Sequence, residues 1–408
     1  MGAPAARVSE ISRHWVRMGV NVTVLTGFPN HPDGIVRPEY RSRFRRIFCR
    51  ELIDGIEVAR TWLLPFPNRK PHERILNYLS FCFSAAMAGS LLRRREVVIA
   101  TSPQLLVGLS GWWIARLKGS RFVLEIRDLW PESLQAVGVG NPDSRLHRIL
   151  SGIAGFLYRK ADHIVVVTPA FRDCLMARWR VPAEKISVVQ NGVETDLFRP
   201  SHASALRSQL NLDDKFVVSY IGTLGMAHGL ETVIAAAEKL NTHPEVRFLI
   251  VGDGAERERI AAMAEARRLT NVRFIGQQAR DRVPEYISAS DACLVVLKRS
   301  DVFETVIPTK MLEFMSCARP VILGVSGQDR KIMEDAGCGI YFEPGNAHAL
   351  ADSVLRLTAD KIYREALGRN GRRYILKELS RERTATRYLK LIAELYGQNL
   401  FKATTAAA

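Results

Sequence analysis

The sequence predicts an α/β protein built from two doubly wound domains, each a parallel sheet covered by helices. Three observations carry this expectation. Short runs rich in Val, Ile and Leu alternate with helical periods from Val20 to Val189 and again from Phe216 to Leu323. The connections are short, as in successive βαβ units. The 408 residues are enough for two cores, and a polar stretch over residues 195–215 separates the halves. The domains are accordingly set at 1–195 and 196–380. Residues 381–408 form a last helix, expected to return to the first domain, and a tail.

In the first half, Val8, Ile11, Trp15 and Met18 recur at helical spacing, and Gly19 ends that helix. Val20 to Thr26 reads as a buried strand. A doubly wound domain places a strand before its first helix, so the first strand is expected to be missing. Residues 27–60 read as irregular, with Arg41, Arg43, Arg45, Arg46 and Arg50 interleaved with Tyr40, Phe44, Ile47 and Phe48. That mixture suits a solvated arm, a membrane surface or single-stranded nucleic acid. Leu76 to Leu92 is apolar and ends in Arg93-Arg94-Arg95. It is short for a bilayer span and fits a buried or membrane-surface helix. Strands are expected at Val97 to Ala100, Phe122 to Ile126, His163 to Val167 and Ile186 to Val189. Helices over Leu105 to Leu117, Leu146 to Arg159 and Ala170 to Arg178 connect them.

In the second half, strands are expected at Phe216 to Ile221, Val246 to Val251, Val272 to Ile275 and Ala292 to Leu297. Helices run over Glu231 to Leu240, to Arg268, Val283 to Ser288, Ala347 to Leu357, Lys361 to Leu379 and Arg381 to Tyr396.

Lys and Arg outnumber Asp and Glu by 58 to 42, and the excess lies mostly in residues 1–200, with 29 against 17. A basic first half suits an anionic partner: a membrane surface, a phosphorylated substrate or nucleic acid. The nucleic-acid reading rests on charge alone and is set aside. The six cysteines show no Cys-x-x-Cys and no zinc spacing, which suits a reducing cytoplasm. No basic-then-apolar leader follows Met1.

Ligands of open parallel sheets bind beyond the carboxyl ends of the strands. The strongest segment there is Pro308-Thr309-Lys310-Met311-Leu312-Glu313. Pro308 suits the first turn of a helix, and Thr309 and Lys310 then expose amides that favour an anion. Glu313 shares the Lys310 face and suits ribose hydroxyls, while a solvated Lys–Glu pair is the plainer alternative. Gly222-Thr223-Leu224-Gly225 and Gly252-Asp253-Gly254 follow strands, as does Gly276, and glycines let backbone amides approach a diphosphate. Each also reads as a tight turn. Lys298 follows the strand before Pro308 and either neutralises a leaving diphosphate or faces solvent. Asp128, beside Arg127, either orients or deprotonates an acceptor or caps a turn. His31 and His228 are loop histidines that reach phosphate or solvent.

The ordered set Arg127-Asp128-Leu129-Trp130-Pro131-Glu132-Ser133, Val189-Gln190-Asn191-Gly192-Val193, Tyr220-Ile221-Gly222-Thr223-Leu224-Gly225, Val251-Gly252-Asp253-Gly254 and Pro308 to Glu313 resembles the family 4 retaining glycosyltransferases. The resemblance covers nearly the whole chain. It is closest to bacterial surface-polysaccharide enzymes that include N-acetyl-fucosaminyl transferases. It implies a GT-B fold, two Rossmann-like domains facing a cleft, with the nucleotide sugar on the second. It implies a UDP-sugar donor, a polyprenyl-diphosphate-linked acceptor, no metal or other cofactor, and a cytoplasmic enzyme peripheral on the inner membrane face. Donor-nucleotide contacts fall on Gly222, Thr223, Gly225, Gly252, Asp253, Gly276, Pro308, Thr309, Lys310 and Glu313. Leaving-group and acceptor chemistry fall on Lys298, Lys310 and Asp128, with His31 and Arg127 on the acceptor side. The family's second glutamate aligns with Thr305, one residue from Glu304, which is the donor-sugar candidate. Thr223 and His228 stand where many members carry Arg and Lys. A nucleotide-sugar 2-epimerase of the same fold and a non-catalytic nucleotide-sugar-binding protein are the rival readings.

Overall fold

The computed structural model describes residues 3–30, 34–44, 46, 48–67, 71–131, 144–300 and 303–397. The chain divides into two compact units. One comprises Gly2–Gln190 with the segment from Ala385, and the other comprises Asn191–Thr384.

In the first unit, helix α1 (Ala3–Arg17) leads into strand β1 (Thr23–Gly27), which is half-buried along its length. Strands β2 (Phe48–Ile53) and β3 (Ile56–Thr61) follow. They form an antiparallel hairpin inside the stretch expected to be irregular. Its turn is Asp54-Gly55, both at positive φ (51° and 79°), the geometry that Asp-Gly dipeptides favour. β1 pairs with β3 in parallel. The arginine–aromatic stretch packs inward in part. Arg60 lies over the Tyr40 ring, 4.9 Å from its centroid, and Phe28 meets Phe44 edge-on.

Helix α2 (Pro71–Leu91) precedes a second sheet of four parallel strands in the order β4-β5-β6-β7. These are β4 (Val97–Thr101), β5 (Arg121–Ile126), β6 (His163–Val166) and β7 (Ile186–Val188). Helices α3 (Val107–Lys118), α4 (Arg145–Lys160) and α5 (Pro169–Trp179) connect them. Ser144 and Thr168 cap α4 and α5 by accepting from the His147 and Phe171 amides. The center of this unit is an ion pair. Arg7 of α1, 1% exposed, meets Glu125 of β5 at 2.8 Å, and Thr101 donates to the other carboxylate oxygen at 2.6 Å. The C-terminal helix joins the same core: Trp15 donates to the Ala385 carbonyl at 2.8 Å and packs edge-on against Tyr388.

The second unit opens with α6 (Ser204–Gln209). The stretch around α6, expected to be a linker, is core. Phe198, Leu206, Leu210 and Leu212 are all buried in one apolar cluster with Val217 and Met315. Its sheet has six parallel strands: β8 (Phe216–Ile221), β9 (Val246–Val251), β10 (Val272–Phe274), β11 (Ala292–Val296), β12 (Val321–Gly324) and β13 (Gly339–Tyr341). Helices α7 (Leu230–Lys239), α8 (Arg257–Ala266), α9 (Val283–Ala289), α10 (Thr309–Ser316) and α11 (Gln328–Ala336) connect them in turn. Helices α12 (Ala347–Ala359), α13 (Lys361–Tyr374) and α14 (Arg381–Tyr396) end the described chain.

Strand order is β10-β9-β8-β11-β12-β13. The order reverses between β8 and β11, and the crevice at the carboxyl ends there is where such sheets hold ligands. α11 and β13 have no counterpart in the sequence reading. The α11 segment Gln328-Asp329-Arg330-Lys331 shows no apolar period to mark it.

Candidate active site

The carboxyl end of the second unit's sheet is walled by glycine. Gly222, Gly252 and Gly276 follow β8, β9 and β10. The Gly222 amide donates to the Val251 carbonyl at 2.9 Å, and the Gly252 amide to the Gly276 carbonyl at 3.1 Å. Gly252 sits at φ 142°, and a Cβ there would stand 1.9 Å from the Gly222 carbonyl oxygen. No other residue fits without moving the backbone. Asp253 accepts from the Gly254 amide at 2.8 Å, which holds the loop tight. The Gly225 amide meets Nδ1 of His228 at 3.3 Å. Burial, and then the nearby charge of Lys310, push the His228 imidazole down to about 4, so it is neutral at pH 7.

Pro308 is the residue before α10, extended at φ −60° and ψ 122°, and not in its first turn as expected. Thr309 and Lys310 occupy that turn, where amides have no intrahelical acceptor. Met311, Leu312, Phe314 and Met315 are fully buried and fix the helix on the sheet. Lys310 therefore has one direction left. Its residue is only half-buried, yet Nζ is out of solvent and has no hydrogen-bond partner. Nζ lies 4.1 Å from the Tyr220 ring centroid and 4.0 Å from where a Gly222 Cβ would stand. Tyr220 itself is anchored by donating to the Thr223 carbonyl at 2.7 Å. Burial pushes the Lys310 ammonium down to about 7, against the opposing pull of Asp329 and Glu313.

Glu313 is paired with Arg280 at 3.1 Å and not with Lys310, so the plain Lys–Glu pair is absent. Lys298 lies at the lip. Its amide donates to the Ala227 carbonyl at 2.8 Å, and its half-exposed ammonium meets Glu231 at 3.7 Å. Lys298 thus stands half in solvent beside Glu231. Glu304 lies in the turn before α10, its backbone against Gly327. The structure thus gathers Gly222, Gly252, Gly276, His228, Thr309, Lys310 and Glu313 at one sheet end. It adds two residues the sequence reading passed over, Arg280 and Asp329, and gives a contact to Tyr220, which stood in that reading only as the start of the glycine motif. Asp329 hid within a run of polar residues.

The other candidates belong to the first unit. Asp128 follows β5 and borders a small recess lined by Ser102, Gln104, Leu105, Trp130 and Tyr158. The Ser102 hydroxyl accepts from the Arg127 amide at 2.8 Å and caps this strand end. Burial pushes the Asp128 carboxyl up to about 6 despite the adjacent Arg127 charge. His31, Glu132 and Ser133 lie outside the described residues. Among the described residues, no group of three or more His, Cys, Asp or Glu side chains is placed to hold a metal.

Two family models match the chain: "Glycosyl transferases group 1" over residues 203–374 and "Glycosyl transferase 4-like domain" over residues 2–192. WcaI of Escherichia coli (strain K12), whose name assigns it to colanic acid biosynthesis, is 26% identical over 82% of this chain and 84% of its own. Sucrose-phosphate synthase from Thermosynechococcus elongatus superposes with a TM-score of 0.76 at 22% identity, covering 97% of this chain and 94% of that one. Anabaena HepE, solved with UDP, gives 0.67 at 16% identity over 91% and 100%. These structures share the GT-B fold of glycosyltransferases. The two matched regions coincide closely with the two units, and the protein is a glycosyltransferase that pairs a 4-like domain with a group 1 domain.

Proposed function

We propose that the enzyme moves a hexosyl or N-acetylhexosaminyl group from a UDP-sugar to a polyprenyl-diphosphate-linked acceptor, with retention, in surface-polysaccharide assembly. The observation that carries this reading is the Lys310 ammonium, buried without a partner between Tyr220 and a glycine-walled sheet end. A diphosphate supplies the missing acceptors. When the bond from the anomeric carbon to the diphosphate oxygen breaks, charge gathers on that oxygen. Lys310 and the free amides of the α10 turn then stabilise it. Glu313, held by Arg280, is assigned to the ribose hydroxyls, and Asp128 to the acceptor. UDP as the nucleotide is supported by HepE, and the polysaccharide setting by WcaI. Retention and the lipid-linked acceptor rest on the sequence resemblance.

Calorimetry tests the nucleotide site. Glu313→Ala is expected to weaken UDP binding about tenfold, roughly 1.4 kcal/mol. An unchanged affinity counts against the assignment.

Among the described residues no helix is long and apolar enough to cross a membrane. The outer face of α2 nevertheless exposes Leu79, Phe83, Met87 and Leu91, one every four residues, beside Trp113 and Leu117 of the adjacent α3. Arg93 to Arg95 follow directly. An apolar ridge with a basic end suits an anionic bilayer surface, where the acceptor's lipid resides. Phe83→Asp is expected to lower co-sedimentation with phosphatidylglycerol vesicles about fivefold, near 1 kcal/mol. Equal co-sedimentation of the variant overturns this surface.

A further inference from the structure

Lys310 is not the only stranded charge at this sheet end. Asp329, in the first turn of α11, is 0% exposed, and both carboxylate oxygens lack a hydrogen-bond partner. A lysine at a helix start ordinarily extends its ammonium to water. Here the ammonium is drawn inward past Gly222 and over Tyr220. Something must offset the loss of hydration.

The groups that face Lys310 can be named element by element. β8 supplies the Tyr220 ring, and the turn after Gly225 supplies His228, which is neutral. α10 supplies Glu313, but Arg280 shares that carboxylate. α11 supplies Asp329. Burial pushes the Asp329 carboxyl well above the usual carboxylate range and the Lys310 charge opposes that rise, while Asp329 acts on Lys310 more strongly than Glu313 does, so each buried charge is held by the other. The start of α11 also suits an anion, as helix N-termini do.

We propose that Asp329 is a positioning residue that keeps Lys310 charged and turned inward across Tyr220, ready for an anionic ligand. The two side chains make no ion pair within bonding reach. Asp329 therefore orients the cation through its field and leaves the ammonium's hydrogens free for the ligand. A direct salt bridge would compete with a diphosphate, and a distant carboxylate does not. The sequence 309–313 carries the contact, and a residue almost twenty positions on holds the charge.

This inference rests on the reading of Lys310 as a diphosphate contact, so the experiment separates the two. Competitive acetylation with peptide mass spectrometry reports the titration of Lys310 without reference to activity. Calorimetry across pH reports UDP affinity. With Asp329 intact, affinity is expected to fall as pH rises through about 7, where Lys310 loses its proton. Asp329→Asn removes the carboxylate that favours the ammonium. The Lys310 titration and the affinity limb are both expected to move to lower pH by about one unit, a tenfold loss near pH 7. Asp329→Glu is expected to restore part of the shift. An unmoved Lys310 titration in Asp329→Asn overturns the proposal. A moved titration with unmoved UDP affinity upholds the Asp329–Lys310 coupling and overturns the diphosphate role. If Asp329→Asn does not fold, Asp329→Glu carries the test: it must keep Lys310 titrating well above its value in an Asp329→Ser variant, and equal titrations refute the coupling.

Discussion

Two buried cations, one in each unit, are treated in opposite ways. Arg7 is bound by Glu125 at 2.8 Å and also donates to the Val189 and Gln190 carbonyls at 3.3 Å. Thr101 completes the Glu125 side. The Lys310 ammonium has no hydrogen-bond partner, and neither carboxylate oxygen of Asp329 has one. A cation whose acceptors are all supplied by its own chain is a building element. A cation left short of acceptors stores binding capacity for something that brings them. The contrast separates structure from function without reference to any relative.

The sharpest way to break that contrast is to remove each cation. Arg7→Met leaves Glu125 buried and unpaired. Burial alone works to raise its pKa, and at present the charge of Arg7 and its hydrogen bond hold it below the usual range. Breaking such a pair costs about 3–5 kcal/mol, enough to unfold much of the first unit. Urea denaturation followed by tryptophan fluorescence reads this, since Trp15 lies in the same core. A loss under 1 kcal/mol removes Arg7 from its structural role.

Lys310→Met is the matching change in the other unit and is expected to act the other way round. It deletes a buried charge that has no hydrogen bond to lose, and Asp329, left without an opposing charge, takes up a proton as its burial favours, so stability at pH 7 is expected to change by about 1 kcal/mol or less. UDP affinity is expected to fall by about 2 kcal/mol, near thirtyfold, the scale of a hydrogen bond to a charged group. Thermal denaturation and calorimetry on one preparation check both halves. A variant that unfolds while binding UDP normally inverts the comparison.

The strand–helix alternation made most of the fold legible, because buried parallel strands read as apolar runs and their connections are short. The β2–β3 hairpin escaped because Arg50, Glu51, Glu57 and Arg60 interrupt its apolar residues, although Asp54-Gly55 was a readable turn signal. Residues 195–215 read as a linker because Phe198 and Leu206 are scattered among polar neighbours, yet both are core. In the site, glycine positions and α10 were legible because backbone approach and helix ends leave local marks. Asp329 and the Arg280–Glu313 pair were not, because they meet others only through the sheet's crossovers. Burial decides the meaning of Lys310 against Lys298, and a sequence does not state it.

The same contrast can be drawn inside the first unit, between two carboxylates three residues apart. Glu125 is paired and held low, whereas burial pushes Asp128 up to about 6, with only the charge of Arg127 opposing. Groups moved apart in this way are candidates for different tasks. The sign for Asp128 follows from its raised value. Below about pH 4 it is protonated in both folded and unfolded chains and costs nothing. As pH rises toward 6 the unfolded chain loses its proton first, so the folded state loses stability, and above 6 the penalty is constant. Asp128→Asn removes the penalty. The variant is expected to match the parent near pH 4 and to exceed it above pH 6 by about 1 kcal/mol, the partial exposure having been allowed for. Denaturation midpoints at pH 4.5 and pH 7.5 measure it. A variant less stable at pH 7.5 would mean that the ionised carboxylate is held by contacts of its own. Asp128 would then belong with Glu125 as structure, and the acceptor role would lose its physical basis.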